Sequence, residues 1–125
     1  MVRKQQRTVC ALALMTALLP AEVFAAPYTP IFTGERFVRD MLAAPDNGAA
    51  SMRRERAMGY MDGVMDGTVG LLWCPSHQHV SHELNYLAAE QMQALPAAQL
   101  KKSAAPLALA VLAERYPCPR KGRAP

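Results

Sequence analysis

No stretch of this 125-residue chain alternates β-branched with polar residues, and valine and isoleucine are few. Half-buried strands need that period of two, so a β-rich fold is excluded. Charged residues are scarce, 19% against 51% hydrophobic. Disordered chains show the reverse balance. Seven glycines and ten prolines are too few for a collagen-like or linker composition. No serine-hydrolase motif occurs, and no cysteine has the sequence context of a nucleophile. The apolar run Thr8–Leu19 has 12 residues, short of the roughly 20 that a membrane-spanning helix needs.

That run has a different meaning. Arg3, Lys4 and Arg7 precede it without an acid, Pro20 breaks it, and Val23-Phe24-Ala25 follows. These are the basic, apolar and small-residue parts of a secretory signal. Cleavage is expected after Ala25, leaving residues 26–125 as one exported domain with no membrane attachment. The formal charge of +4 then loses its apparent meaning. Removing Arg3, Lys4, Arg7 and Glu22 leaves 11 basic and nine acidic residues, a net of +2. Arg120, Lys121 and Arg123 crowd the end of the chain, so a nucleic-acid partner is not expected. Cys10 leaves with the signal, and Cys74 and Cys118 remain. Two cysteines in an exported chain most often pair. Free thiols or metal ligands are the rival reading. A pair would close a loop of about 45 residues, worth up to about 4 kcal/mol on the chain-entropy model. A 100-residue domain buries only somewhat over about 60% of its unfolded surface, so such a staple matters.

Helical periodicity accounts for most of residues 26–125. Thr33 is placed to cap a helix running to about Ala44, with Phe37, Val38, Met41 and Leu42 at helical spacing. Pro45-Asp46-Asn47-Gly48 is a turn signal. A second helix is expected from Ser51 to Trp73, with Ala57, Tyr60, Met61, Val64, Met65, Thr68, Leu71 and Leu72 on its buried face. A third begins near Ser81 as N-cap and closes at Pro96. A connector containing Leu100 leads to a fourth over Ala104–Arg115. The fold reads as all-α, a compact bundle of about four helices stapled by one disulfide.

Four features invite a functional reading. Gly59, Gly63 and Gly67 recur every four residues along the second helix. Interior glycines each cost about 0.8–1.0 kcal/mol against alanine, so the stripe implies close packing, within the chain or across a homodimer. Asp62 and Asp66 form an i, i+4 carboxylate pair, read as a solvated or capped face and not as an acid–base pair. Cys74, His77, His79 and His82 lie within nine residues. With Cys74 in a disulfide the three histidines fit no dependable zinc spacing, so neither a metal nor a cofactor is expected. Arg53, Arg54 and Arg56 crowd the start of the second helix, where they oppose its dipole. Either that helix starts upstream of them or they serve a partner. Arg53, Arg54, His77, His79 and His82 are therefore candidate partner contacts. The segments around them, Pro45–Arg54 and Pro75–His82, are candidate exposed surfaces, as is the Pro96–Lys102 connector.

In order along the chain, Phe32-x-Gly34, Gly59-Tyr60-x-x-Gly63-Val64-x-Asp66, Trp73-Cys74-x-Ser76 and Ala110-Val111-Leu112-x-x-x-Tyr116-Pro117-Cys118-Pro119 form a recognisable set. It resembles the Rap/Tai family of type VI secretion immunity proteins over roughly residues 32–119. Family members often carry a second cysteine pair, whose places here hold alanines, near Ala43 or Ala44 and at Ala57. The resemblance implies a small helical periplasmic inhibitor, often dimeric, that is not an enzyme. Its expected partner is a toxic amidase that cuts peptidoglycan cross-links, blocked at its active-site cleft. Two other readings fit an exported helical chain, a periplasmic acid-stress chaperone and a histidine-dependent metal carrier.

Overall fold

The computed structural model describes residues 28–46 and 48–120. The expected signal segment, its cleavage position, Cys10 and the basic end from Lys121 lie outside the described residues. Five helices follow in order: α1 Gly34–Leu42, α2 Ala49–Asp66, α3 Ser81–Gln93, α4 Ala97–Leu100 and α5 Ala104–Arg115. No strand occurs among the described residues, only two isolated bridges. None of these helices is long and apolar enough to cross a membrane.

Helix α1 is the hub and packs against each of the other four. Thr33 caps it, its hydroxyl accepting from the Arg36 N–H at 3.2 Å. Phe37, Val38 and Met41 enter the core beside Met61 and Met65 of α2, Leu84, Ala88 and Met92 of α3, and Ala108 and Leu112 of α5. Asp40 is buried on the same helix, 2% exposed. The guanidinium groups of Arg39, Arg36 and Arg53 approach its carboxylate at 3.1, 3.6 and 3.9 Å. A buried carboxylate is tolerated when so paired. Helix α1 stops at Leu42, short of the expected Ala44. The Arg54 side chain crosses from α2 and donates to the carbonyls of Met41, at 3.2 Å, and Ala43.

Helix α2 departs from expectation at both ends. It starts at Ala49, behind Gly48 at φ 117°, a left-handed conformation that costs glycine no steric strain. Asp46 Oδ1 accepts from the N–H groups of Gly48 and Ala50 at 3.1 and 2.6 Å, placing a carboxylate at the helix N-terminus where the dipole favours it. The upstream start moves the three arginines out of the first turn. The far end comes at Asp66, not Trp73. Thr68 Oγ1 donates to the Val64 carbonyl at 2.6 Å, a side-chain bond that competes with the helical ladder. Gly70 then takes φ 79°, and its N–H donates to the Trp73 carbonyl at 2.8 Å. The chain turns back there, so Leu71 and Leu72, expected in the core, are 76% and 54% exposed. Trp73 fills the core instead, 3% exposed.

Two smaller corrections concern the later helices. Ser81 does not cap α3; Val80 holds the N-cap position and no side chain caps that end. The connector after Pro96 winds into the single turn α4 before Ser103. The connector's end pairs with the segment entering α1: Gly34 N–H donates to the Lys102 carbonyl and Ala104 N–H to that of Phe32, both at 2.9 Å. A Cβ on Gly34 would stand 2.7 Å from Leu107 Cδ1 and 3.1 Å from the Leu100 carbonyl oxygen. Glycine is required there by crowding. Gly34→Ala is therefore expected to lower stability by about 1–3 kcal/mol, read as a lower urea midpoint at unchanged slope.

Candidate functional site

The segment between α2 and α3 has no helix of its own, yet it is tied down at several points. Cys74 and Cys118 form a disulfide across 44 residues. The Cys74 N–H donates to the Tyr116 carbonyl at 2.7 Å. Trp73 Nε1–H donates to Thr68 Oγ1 at 3.2 Å, and the Trp73 and Tyr116 ring centroids lie 6.2 Å apart. His79 lies 4.8 Å from the Tyr116 ring centroid and 4.4 Å from that of His77. His77 Nδ1 in turn shares a 3.0 Å hydrogen bond with Ser76 Oγ. The disulfide, one tryptophan, one tyrosine and two histidines thus make one cluster.

This cluster borders a cavity of about 210 Å³. Met65, Val69, Trp73, Pro75 and Leu84 supply its apolar walls, and Asp66, His77, Gln78, His79 and Ser81 its polar edge. His79 Nε2 is buried and has no hydrogen-bond partner among the described residues. Val69 at the cavity, and Leu71, Leu72 and Val80 of the same segment, are all exposed large hydrophobics. A second hollow, about 460 Å³, lies between α3 and α5 over Leu87, Gln91, Val111, Glu114 and Arg115.

The candidates from the sequence fall into different places. His77 and His79 come together at the cavity, while His82 is exposed on the first turn of α3. No group of three or more His, Cys, Asp or Glu among the described residues is placed to hold a metal ion. Arg54 is committed to the end of α1, and Arg53 reaches Asp40 and Asp46 at 3.9 and 4.0 Å. The carboxylates Asp62 and Asp66 do not act together. Asp62 accepts from Nδ2 of buried Asn85 at 2.7 Å, joining α2 to α3, whereas Asp66 faces the cavity. The glycine stripe meets no other element: a Cβ at Gly59 or Gly63 would meet nothing within 4 Å, and one at Gly67 only the Gly63 and Val64 carbonyls of α2 itself. Sequence reasoning missed the exposed Val69–Leu72 turn and the Asn85–Asp62 bond. The paired glycines around Thr68 were the available sign of the turn.

What the fold and surface define is a small, disulfide-stapled helical protein with an exposed apolar turn next to a small cavity. A family model of Rap1a immunity proteins matches residues 33–118, and the chain belongs to that family. No curated protein matches it. An immunity protein binds an effector, so membership makes this chain a partner-binding protein.

The staple's share in the site is measurable. Cys74→Ser/Cys118→Ser is expected to lose about 2–4 kcal/mol of stability. Emission from Trp73, the sole tryptophan, should shift to the red as its cover loosens. Unchanged emission with unchanged melting would show that the cluster stands without the disulfide.

Proposed function

We propose that this chain is a non-enzymatic periplasmic immunity protein of the type VI secretion kind, which binds and blocks a peptidoglycan amidase effector. The match to the immunity family over residues 33–118 carries the reading. The geometry supports it. Leu71 and Leu72 project from a turn braced by Gly70, Trp73 and the Cys74–Cys118 bond. A loop ordered before binding loses little entropy on docking, which suits a residue pair meant to enter a cleft. The neighbouring cavity can receive an apolar side chain in return. A periplasmic address agrees with the basic and apolar N-terminal segment and with a lasting disulfide.

The test is whether a gene beside this one encodes an exported cysteine amidase and whether this chain inhibits it. The purified chain is expected to abolish peptidoglycan cleavage at equimolar ratio, and co-expression to protect cells. Leu71→Asp/Leu72→Asp should weaken inhibition at least about tenfold, since a hot-spot truncation costs 2 kcal/mol or more, and the fold should survive because both side chains are exposed. An amidase that binds neither form, with cells left unprotected, would refute the reading.

A further inference from the structure

The cavity beside Trp73 carries charge of one sign. Asp66 lies on its edge, and none of its lining residues is Lys or Arg. Asp66 is exposed and has no ion-pair partner among the described residues. Its charge does not help α2 either. It is the last residue of that helix, where a negative charge opposes the dipole, and no basic residue shares the last turn. The chain thus gives this carboxylate neither a partner nor a stabilising place.

The cavity has room for one side chain. Its volume of about 210 Å³ is below the roughly 300 Å³ at which small-molecule sites begin. Met65, Trp73 and Leu84 in its wall are 4%, 3% and 5% exposed, so that wall belongs to the core and is formed before anything binds. An apolar stem would lie along it. An occupant apolar to its tip would also strip water from Asp66 and leave the carboxylate unpaired, which is costly. A cationic tip removes that cost. An ammonium has three donors that diverge from one nitrogen. The edge presents acceptors on separate residues, the Asp66 carboxylate, Gln78 Oε1 and Ser81 Oγ. His79 stands on the same edge with a buried Nε2 that lacks a partner. A guanidinium holds its donors in one plane and matches a single carboxylate, so it answers fewer of these groups. The positive end of α3 borders the cavity at Ser81, but Glu83 in its first turn offsets it.

We propose that this cavity takes a lysine side chain of the partner protein, its stem against Met65, Trp73 and Leu84 and its ammonium on Asp66, with His79 Nε2 as a further acceptor. The inference names the chemistry that the effector presents to the cavity, and to that extent it rests on the immunity reading. The preference for a cation belongs to this chain alone and is open to test without an effector.

The test is titration of the isotopically labelled protein with n-butylammonium at neutral pH, followed by nuclear magnetic resonance. This ion has the stem and head of a lysine side chain. It is expected to shift the Trp73 indole N–H and the Ser81 and Leu84 amides together, with a dissociation constant on the order of 1–10 mM for so few atoms. Uncharged 1-butanol should bind about three- to tenfold more weakly, and anionic butyrate more weakly still. Asp66→Asn should reduce n-butylammonium to the level of 1-butanol. Its melting temperature should be unchanged or higher, because a charge opposing the helix dipole is gone. Equal affinity for n-butylammonium and 1-butanol overturns the proposal. So does an Asp66→Asn protein that keeps the preference, or a wild type that responds to none of the compounds. Tighter binding of n-propylguanidinium overturns the choice of lysine. Failure here leaves the amidase test through Leu71 and Leu72 intact, and failure of that test leaves the cation preference intact.

Discussion

The bond between Cys74 and Cys118 holds the end of the chain against the segment leaving α2, and the rest of the surface follows from that. With the 2.7 Å hydrogen bond from Cys74 N–H to the Tyr116 carbonyl, it sets Tyr116 beside Trp73 and His79. Trp73 is then buried, and the turn before it has to place Leu71 and Leu72 in solvent. A domain of this size has limited core to spend. One covalent link at the edge of that core lets a helix-free segment keep a definite shape.

The interior is organised differently, around α1. Its apolar side meets every other helix, and its polar side is held by arginines. Arg54 closes the C-terminal carbonyls, while Arg36, Arg39 and Arg53 surround the carboxylate of Asp40. A basic cluster that looked available to a partner is in part internal wiring between α1 and α2. Arg56 is the member left over, one turn along and facing solvent with Asp66. The same helix therefore separates its charges by face, two arginines inward to the fold and one outward.

Much of this was legible beforehand. The 3.6-residue periodicity placed α1, α3 and α5 within a few residues, and export logic paired the two cysteines. The end of α2 was not legible from periodicity, because Thr68, Leu71 and Leu72 continue the helical spacing without interruption. What stopped the helix was a hydroxyl bonded to a carbonyl and a glycine with positive φ, neither of which changes the apolar pattern. The destinations of Arg53, Arg54 and Asp62 were hidden for another reason. Each partner, Asp40, the Ala43 carbonyl and Asn85, lies on a different element, and a single sequence carries no sign of such pairings. The glycine stripe was expected to mark close packing, yet within the chain nothing lies within 4 Å of a Cβ at Gly59 or Gly63.

The central claim is that the segment from Thr68 to Val80 is a rigid display surface because the disulfide makes it one. Amide hydrogen exchange of the oxidised and reduced protein at neutral pH tests this most directly. The N–H groups of Gly70, Leu72 and Cys74 donate to Trp73, Thr68 and Tyr116 carbonyls, so they should be protected in the oxidised form. Reduction should release them while the amides of α1 and α3 keep their protection. Equal protection of the three amides in both forms, or none in the oxidised form, would contradict the account.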